Sequence, residues 1–307
     1  MTKPAPRRLL WVLVALLVLA AAAWVTRREL VSSPLQSRLF SGLARDASFS
    51  VEPGPSVRVR FPEDGPFDQR RGYTEIPVFV EALKSSGYRI DRQARLSPRL
   101  DAFIARGGFP LYHERSQAGL SIYDGSECVL YQARHPERTF AAFDQVPPLV
   151  AATLTFVEDR ELLDLTIPTR NPAVEWDRLA AAGMNTLVSA VFPTGQRFGG
   201  STLATQLEKF RHSPEGRTDS PAEKLRQVIS ATARVYLDGP DTTRARRRIV
   251  VDYLNSTPLA ARSGFGEVIG LGDGLHVWFG TDLEDAASRL RESQDVISAS
   301  PRSARVY

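Results

Sequence analysis

Residues 201–210 read Ser-Thr-Leu-Ala-Thr-Gln-Leu-Glu-Lys-Phe and follow the pair Gly199-Gly200. Apolar residues in this stretch recur at i, i+4 and i+7, which is the spacing of one face of an α-helix. Polar residues recur with the same spacing about 100° further around the helix axis. We therefore predict a helix that packs through one face and presents polar groups on the other. The apolar stripe is Leu203, Leu207 and Phe210, and the polar stripe is Thr202, Gln206 and Lys209.

A second helix with two distinct faces is predicted after Ser220. The run Ser220-Pro221-Ala222-Glu223 is a capping box with proline at the first helical position. On spacing alone, its polar stripe and that of the preceding helix are ordinary solvated faces, although they carry two of the four lysines in the chain. The face predicted to be buried carries Leu225, Val228, Ile229 and Thr232, and the second face carries Lys224, Gln227, Ala231 and Arg234.

The remainder of the C-terminal half is also predicted to be helical. Four segments have helical spacing or begin with helix-capping residues. They are residues 149–163 after Pro148, residues 171–192 opened by Asn171-Pro172, residues 241–255, and the segment opened by the capping box at 281–284. We predict a mainly α domain over residues 141–307. No terminating signal precedes Tyr307, so we expect the natural protein to continue.

Residues 9–25 form a run of seventeen consecutive apolar residues, preceded by Lys3, Arg7 and Arg8. Crossing a bilayer takes about 17–25 residues, so the run predicts a membrane anchor over residues 1–29. The alternative is a cleaved secretory signal, since residues 20–23 are small. The basic residues before the run favour a cytoplasmic N-terminus, with the rest of the chain outside the cytoplasm. We expect a single-pass protein of the cytoplasmic (inner) membrane and no nucleic-acid partner.

Residues 30–140 are predicted to form a juxtamembrane connector and a small α+β accessory module. Residues 57–61 alternate with period two like a strand, and residues 76–83 have helical spacing. Residues 120–123 and 128–131 flank the turn Asp124-Gly125-Ser126, which predicts a hairpin. The overall fold class is therefore α+β.

The composition is that of an ordinary globular protein. Of 307 residues, 43% are hydrophobic and 24% are charged, which excludes wholesale disorder. The net charge of +4 suits an anionic lipid, a diphosphate or a nucleic acid alike. The single cysteine, Cys128, excludes an intrachain disulfide and a zinc cluster, and we expect it to be a small buried hydrophobe. Scattered histidines predict no metal site, and the stretch has no Ser-x-x-Lys of a penicillin-binding transpeptidase.

Four ordered motifs lie between about residues 145 and 290. They are Glu158-Asp159-Arg160, the run from Gly199 to Lys209, Glu223-Lys224-Leu225-Arg226-Gln227, and the run from Arg248 to Asn255, followed by Trp278-Phe279-Gly280. In this order they resemble the motifs of glycosyltransferase family 51, the peptidoglycan glycosyltransferase domain of bifunctional penicillin-binding proteins and monofunctional transglycosylases. The resemblance implies a lysozyme-like α fold beside the membrane.

The resemblance also implies roles for individual residues. Glu158 matches the first catalytic glutamate, which acts as the base, and Lys209 and Lys224 match basic positions that meet diphosphate. Such roles suit the chemistry, because joining sugars needs a base for the acceptor hydroxyl and positive groups for the departing diphosphate. Ser201, Thr202 and Gln206 are implied to shape the donor site, and Arg178 matches another basic position.

The sequence departs from the family pattern at the second catalytic glutamate, which aligns with Gln227. Glutamine keeps the hydrogen-bonding reach of glutamate but carries no charge and is a poor ligand for a divalent cation. Mg²⁺ or Mn²⁺ would be the expected cofactor beside a glutamate, and Gln227 weakens that expectation. Glu223 lies one turn earlier on nearly the same face and is an alternative carboxylate, although it already has a role as a cap.

We interpret the chain as a hexosyltransferase that polymerises lipid-linked disaccharide-peptide precursor into glycan strands. Its implied partners are the undecaprenyl-diphosphate-linked precursor, the growing glycan strand, the membrane and other cell-wall synthesis proteins. The first alternative is a non-catalytic family member that acts as a precursor- or glycan-binding scaffold. The second is a lytic enzyme on the same fold, which would also use one carboxylate.

Overall fold

The structure is a computed structural model that describes residues 5–60, 65–176 and 201–299. Its class is α+β, as predicted, with many helices and two short antiparallel strand pairs. The helices are α1 (Ala5–Ser32), α2 (Pro34–Asp46), α3 (Pro66–Arg70), α4 (Ile76–Ser85), α5 (Pro98–Ala105), α6 (Pro148–Glu158), α7 (Leu203–His212), α8 (Pro221–Val235), α9 (Thr243–Ser256), α10 (Gly270–Phe279) and α11 (Leu283–Ala299). Strand β1 (Phe49–Pro53) pairs with β2 (Arg92–Leu96), and β3 (Ala118–Tyr123) pairs with β4 (Val129–His135).

Helix α1 contains the apolar run. Its segment Leu10–Ser32 has 23 residues and a mean hydropathy of 2.1. Within the described part of the chain, it is the one helix long and apolar enough to cross a membrane. The helix ends at Ser32. The next residue, Ser33, has a φ of 49°, in the left-handed region, and α2 begins at Pro34.

The corner between α1 and α2 is tied to the helical domain. The Glu29 carboxylate accepts hydrogen bonds from two backbone nitrogens in the first turn of α2, at 2.8 and 2.9 Å, and so caps that helix. The Thr169 hydroxyl donates to the Ser32 carbonyl at 2.7 Å. The Asn171 backbone nitrogen donates to the Ser33 hydroxyl oxygen at 3.2 Å. Hydrogen bonds, as well as chain connectivity, therefore fix α1 to the folded part.

The accessory module shares a core with the helical domain. Leu100 of α5 is 1% exposed and packs in one cluster with Leu111 and with Ala233 of α8. The Phe109 backbone nitrogen donates to the Ser230 hydroxyl of α8 at 2.9 Å. The module thus packs on the side of α8 and not as a separate unit on a flexible linker.

Two expectations for the accessory module are wrong. Residues 57–60 form no strand, because Arg58 and Arg60 pair with Asp101 of α5 and draw the segment towards that helix. The predicted hairpin is present as β3 and β4, but Cys128 beside its turn is exposed and not buried. The Asp124 carboxylate accepts a hydrogen bond from the Cys128 backbone nitrogen at 2.9 Å, which holds this residue in the solvated turn.

The larger apolar core lies between α7, α8 and α9. Leu203 of α7 and Val250 of α9 are fully buried, and Ala231 of α8 is 1% exposed. Helix α7 contacts both α8 and α9, so the motif-bearing helix is the centre of the domain. Helix α9, predicted over residues 241–255, spans Thr243–Ser256.

The helix predicted over residues 149–163 is shorter. Helix α6 ends at Glu158, because Asp159 has the non-helical angles φ −158° and ψ 81°. The chain then turns, and Leu162 enters the core with 1% exposure. Glu158 is therefore the last residue of a helix, at the edge of the core.

The helix predicted to begin at Asn171-Pro172 does not begin there. Residues 172–175 are not helical, because the Asn171 side chain accepts a hydrogen bond from the Ala173 backbone nitrogen at 2.9 Å and stabilises a turn. The Asn171 amide also donates to Gln36 of α2 and Thr232 of α8, at 2.8 and 3.2 Å. The remainder of this prediction, towards residue 192, lies outside the described residues.

The capping predictions are confirmed in part. The Ser220 hydroxyl accepts a hydrogen bond from the Glu223 backbone nitrogen at 3.0 Å, at the predicted start of α8. At α11 the cap is Asp282 and not Thr281, since the Asp282 carboxylate accepts from the Glu284 backbone nitrogen at 2.8 Å. A carboxylate at this end also complements the positive end of the helix dipole.

Helix α8 buries mostly a different face from the one that was predicted. Leu225 and Ile229 are 59% and 37% exposed, whereas Gln227 is 1% exposed. The polar stripe turns inward because Arg234 finds a buried partner, the Glu208 carboxylate of α7, at 2.5 Å. The ion pair between Arg234 and Glu208 therefore decides which face of α8 is buried, and apolar spacing alone did not predict that face.

Candidate active site

Glu158 lies against the polar stripe of α7. The Gln206 side-chain nitrogen donates a hydrogen bond to Oε2 of Glu158 at 3.1 Å. Two residues predicted from different motifs, 48 positions apart in the chain, are thus in direct contact. A carboxylate held at a helix end by a neutral donor is suited to accept a proton from a bound hydroxyl.

Tyr253 of α9 contacts the other end of the Gln206 side chain. It lies in the motif from Arg248 to Asn255, but the sequence assigned it no role. Its hydroxyl donates to Oε1 of Gln206 at 3.4 Å. Burial, and then the negative charge of Glu158, raise the pKa of the Tyr253 phenol. The phenol therefore stays a neutral donor, and Gln206 is held at both ends of its amide.

Two lysines lie near this contact, Lys209 one turn beyond Gln206 on α7 and Lys224 on α8. The Lys224 ammonium donates to the Ser201 hydroxyl at 2.7 Å. Burial, and then the positive charge of Lys209, lower the pKa of Lys224. Lys209 is close enough to repel Lys224, and its ammonium lies 4.8 Å from the centre of the Phe210 ring. Two like charges beside each other in a partly buried setting favour an anionic ligand between them.

Thr202 has a structural position. It is fully buried and is the N-cap of α7, where its hydroxyl accepts a hydrogen bond from the Thr205 backbone nitrogen at 3.3 Å. The same hydroxyl donates to the Ala173 carbonyl at 3.2 Å. It holds the start of α7, beside Ser201. Arg178 lies outside the described residues.

Gln227 is directed into the protein. It is 1% exposed, and its side-chain nitrogen donates to the Ser213 hydroxyl and to the Thr218 hydroxyl, both at 2.9 Å. The Thr218 hydroxyl also lies 3.1 Å from Oε1 of Gln227. The amide therefore fixes the segment that joins α7 to α8, and it does not offer a cation ligand that is free of other bonds.

The carboxylate connected to this position is that of Glu223. The Ser213 hydroxyl accepts from Gln227 and donates to Oε1 of Glu223 at 2.5 Å. Arg226 lies 3.5 Å from the same carboxylate. Glu223 was considered as an alternative carboxylate beside its role as a cap, and its carboxylate receives the hydrogen bond that continues from Gln227 through Ser213.

A second polar cluster, formed by Arg211 and His212 at the end of α7, was not predicted. Arg211 pairs with Asp252 of α9 at 2.9 Å, and His212 lies 3.0 Å from Asp68 of α3. Burial, and then Arg234, hold the pKa of His212 well below its usual range. Burial, and then the charge of Glu114, raise the pKa of Asp68 to about 8. Asp252 lies 41 residues from Arg211 and Asp68 lies 144 residues from His212, so no local pattern indicates these contacts.

The described residues contain no cluster of side chains that could ligate a metal ion. Groups of three or more histidine, cysteine, aspartate or glutamate side chains that could hold an ion are absent from the ranges 5–60, 65–176 and 201–299.

Comparison with known proteins identifies the family. The family model described as Transglycosylase matches residues 126–305, more than half of the chain. Its first residue lies in the turn between β3 and β4, and the match includes all the residues of the candidate site. No curated protein matches the chain. The chain belongs to the transglycosylase family, the domain of glycosyltransferase family 51.

Proposed function

We propose that this protein is a membrane-anchored peptidoglycan glycosyltransferase that joins lipid-linked disaccharide-peptide units into glycan strands. The observation that carries the proposal is the contact of Glu158 with Gln206, on the helix that also bears Lys209. The reaction needs a base for the acceptor hydroxyl and positive charge for the leaving diphosphate. Residues of α7 position groups for both tasks.

Glu158 is the proposed general base. Its carboxylate takes the proton of the acceptor 4-hydroxyl as that oxygen attacks the anomeric carbon of the donor sugar. The bond from this carbon to the diphosphate breaks, and its electron pair leaves with the lipid diphosphate. Attack on the side opposite the leaving group inverts the anomeric configuration. Gln206 orients the carboxylate, and Tyr253 orients Gln206.

Lys209 and Lys224 are the proposed diphosphate contacts. The burial and mutual repulsion that lower the pKa of Lys224 are both offset when a diphosphate binds between the two ammonium groups. The Ser201 hydroxyl, which accepts from Lys224, can also donate to a phosphate oxygen. We further propose Arg178 as a basic contact of the same ligand, by its position in the family motif.

We propose that α1 is an uncleaved single-pass anchor of the cytoplasmic membrane, with the catalytic part outside the cytoplasm. Its length and hydropathy, and the hydrogen bonds of Ser32 and Ser33 to the helical domain, support this placement. The proposed organisation is an anchor over residues 1–29, a connector and accessory module over 30–140, and the glycosyltransferase domain from 141 to 307. The intact protein should stay with membranes after an alkaline carbonate wash. Recovery of a soluble protein that begins near residues 22–26 would identify a cleaved signal.

Polymerisation of purified lipid-linked disaccharide-peptide tests the activity. The wild type should produce glycan strands. Glu158→Gln should polymerise about 10²–10⁴-fold more slowly, because an amide cannot accept the proton. Equal melting temperatures for the two proteins establish that the variant folds. Unchanged turnover in Glu158→Gln would remove Glu158 as the base, and shortening of preformed glycan would identify a lytic enzyme.

One observation favours a second candidate function. The position of the second catalytic glutamate holds the buried neutral amide of Gln227. A family member without that charge could bind lipid-linked precursor or glycan and organise other wall-synthesis enzymes. Tight precursor binding by a wild type that forms no polymer would support this scaffold function.

A further inference from the structure

The hairpin β3–β4 has one polar and basic face. Side chains alternate across a strand, so residues 119, 121 and 123 of β3 point to one side. Gly119 pairs with Arg134 and Ser121 pairs with Gln132, so arginine and glutamine of β4 belong to the same face. The Gln132 side-chain nitrogen donates to the Ser121 hydroxyl at 3.2 Å, which fixes the centre of this face.

Gly119 allows the two strands to approach closely at the base of the hairpin. A Cβ at this position would lie 2.0 Å from the carbonyl oxygen of Ala133, well inside van der Waals contact. The position therefore excludes a side chain opposite Arg134.

This face forms one wall of a groove of about 530 Å³. Arg115 and Arg134 both line the groove and are both exposed, and neither pairs with an acidic side chain within the described residues. Among these residues the lining also includes no aspartate or glutamate. Elsewhere in the accessory module, arginines such as Arg60 and Arg71 do pair with acids. The groove is therefore a local site of uncompensated positive charge.

The other lining groups define the kind of ligand that fits. Ser121, Gln132 and Thr139 supply hydroxyl and amide groups that both donate and accept hydrogen bonds. Tyr123, at 55% exposure, supplies an aromatic ring on which a sugar ring can pack. Guanidinium groups bind carboxylates through paired, charge-assisted hydrogen bonds. The combination suits an anionic ligand rich in hydroxyl and amide groups.

The groove is joined to the candidate active site through α9. The Asn255 side chain accepts from the Phe140 backbone nitrogen at 2.9 Å and donates to the Phe140 carbonyl at 2.8 Å, which fixes the groove wall. Asn255 lies two residues beyond Tyr253, the partner of Gln206. One helix end therefore supports both the wall of the groove and the residues around Glu158.

We propose that this groove binds the glycan strand whose peptide stems carry free carboxylates, so that the accessory hairpin retains the polymer that the neighbouring site makes. The nature of the ligand rests on the proposed function, whereas its charge and polarity follow from the groove itself. Arg115 and Arg134 bind the carboxylates, and Tyr123 packs against a sugar ring.

The test measures binding of fluorescently labelled, uncrosslinked glycan strands to the full chain in detergent micelles. The double variant Arg115→Ala/Arg134→Ala should bind about tenfold more weakly or worse, because two charge-assisted contacts are lost. The matched control is Arg89→Ala/Arg99→Ala, which removes the same charge from exposed positions of the same module and should change the affinity less than about twofold. Strands whose carboxylates are amidated should bind the wild type as weakly as the double variant binds native strands.

Equal glycan affinity for the groove variant and the control variant would overturn the proposal. Arginine-dependent binding of vesicles of anionic phospholipid, without binding of glycan, would also overturn it and identify a lipid site. Glu158→Gln should bind glycan as the wild type does, so the result does not depend on turnover. A wild type that forms no polymer but binds glycan through the two arginines would contradict the proposed function alone. A wild type that forms polymer but binds glycan independently of the two arginines would contradict this inference alone.

Discussion

The side-chain nitrogen of Gln206 donates a hydrogen bond to Oε2 of Glu158, with 3.1 Å between the two atoms. The other end of the Gln206 amide accepts from the Tyr253 hydroxyl at 3.4 Å. An amide fixed at both ends cannot rotate without losing a bond, so it holds the carboxylate in one orientation. The orientation of the proposed base, Glu158, thus depends on side chains from two helices other than its own.

Replacing Gln206 with leucine should reduce the polymerisation rate about 10–100-fold with little change in the melting temperature. Leucine has a similar size but donates no hydrogen bond, so Glu158 remains present and loses its orientation. The loss should fall on kcat, because proton transfer and not binding is impaired. Gln69→Leu, at an exposed position, is the control. A rate equal to that of the control would mean that the Gln206 contact has no role in catalysis.

Lys209→Ala and Lys224→Ala should each slow polymerisation at least about tenfold, and each should cost more than Gln227→Ala does. In the proposed function each lysine contributes a charge-assisted contact to the diphosphate, whereas Gln227 is buried and holds Ser213 and Thr218. Kinetics of the three variants beside Lys84→Ala, an exposed lysine on α4, make the comparison.

Chelation of divalent cations should leave polymerisation by the wild type intact. Leaving-group stabilisation in this proposal comes from lysine side chains, which need no metal ion. A full loss of rate in chelator, restored by Mg²⁺ or Mn²⁺, would show that a cation takes part in spite of Gln227.

The structure brings Glu158 and Gln206, which motifs assigned to one predicted site, into contact, whereas the packing of α8 differs from the prediction. Glu158 and Gln206 were assigned from motifs, and motifs preserve chemistry over long separations. The orientation of α8 was predicted wrongly, because apolar spacing placed Leu225 inside whereas the buried ion pair of Arg234 with Glu208 places it outside. An ion pair between helices leaves no periodic trace in one sequence. The same reason hid the contact of His212 with Asp68, which are 144 residues apart.

The stability of the folded protein should fall as the pH rises from 6.5 to about 8. Asp68 keeps its proton in the folded state up to a pKa of about 8, whereas the unfolded chain releases it near 3.8. The folded state therefore binds more protons in this window, so raising the pH costs it stability, on the order of 1–2 kcal/mol. His212, whose pKa is depressed in the folded state, opposes this effect only near pH 6.5, where the unfolded chain still binds part of a proton, and adds nothing at higher pH.

Melting temperatures of the detergent-solubilised protein between pH 6.5 and 8.5 measure this effect. Asp68→Asn should flatten the dependence, because an amide mimics the protonated carboxyl and does not titrate. It should also melt at a higher temperature than the wild type at pH 8.5. Equal slopes for both proteins would mean that Asp68 is not the group that titrates.

Gln227→Glu should destabilise the protein, and the effect should grow with pH. The new carboxylate would be buried, would lose the donor bonds to Ser213 and Thr218, and would compete with Glu223 for the Ser213 hydroxyl. An unpaired buried charge costs several kcal/mol unless it takes up a proton, so melting at acidic pH should approach that of the wild type. Gln227→Met is the control, since it removes the same bonds without a charge and should give a cost independent of pH. A Gln227→Glu protein as stable as the wild type at pH 8.5 would mean that a cation or an arginine reaches this position. If the wild type proves inert and Gln227→Glu polymerises, the enzyme proposal is wrong and the chain is a scaffold that lacks its second glutamate.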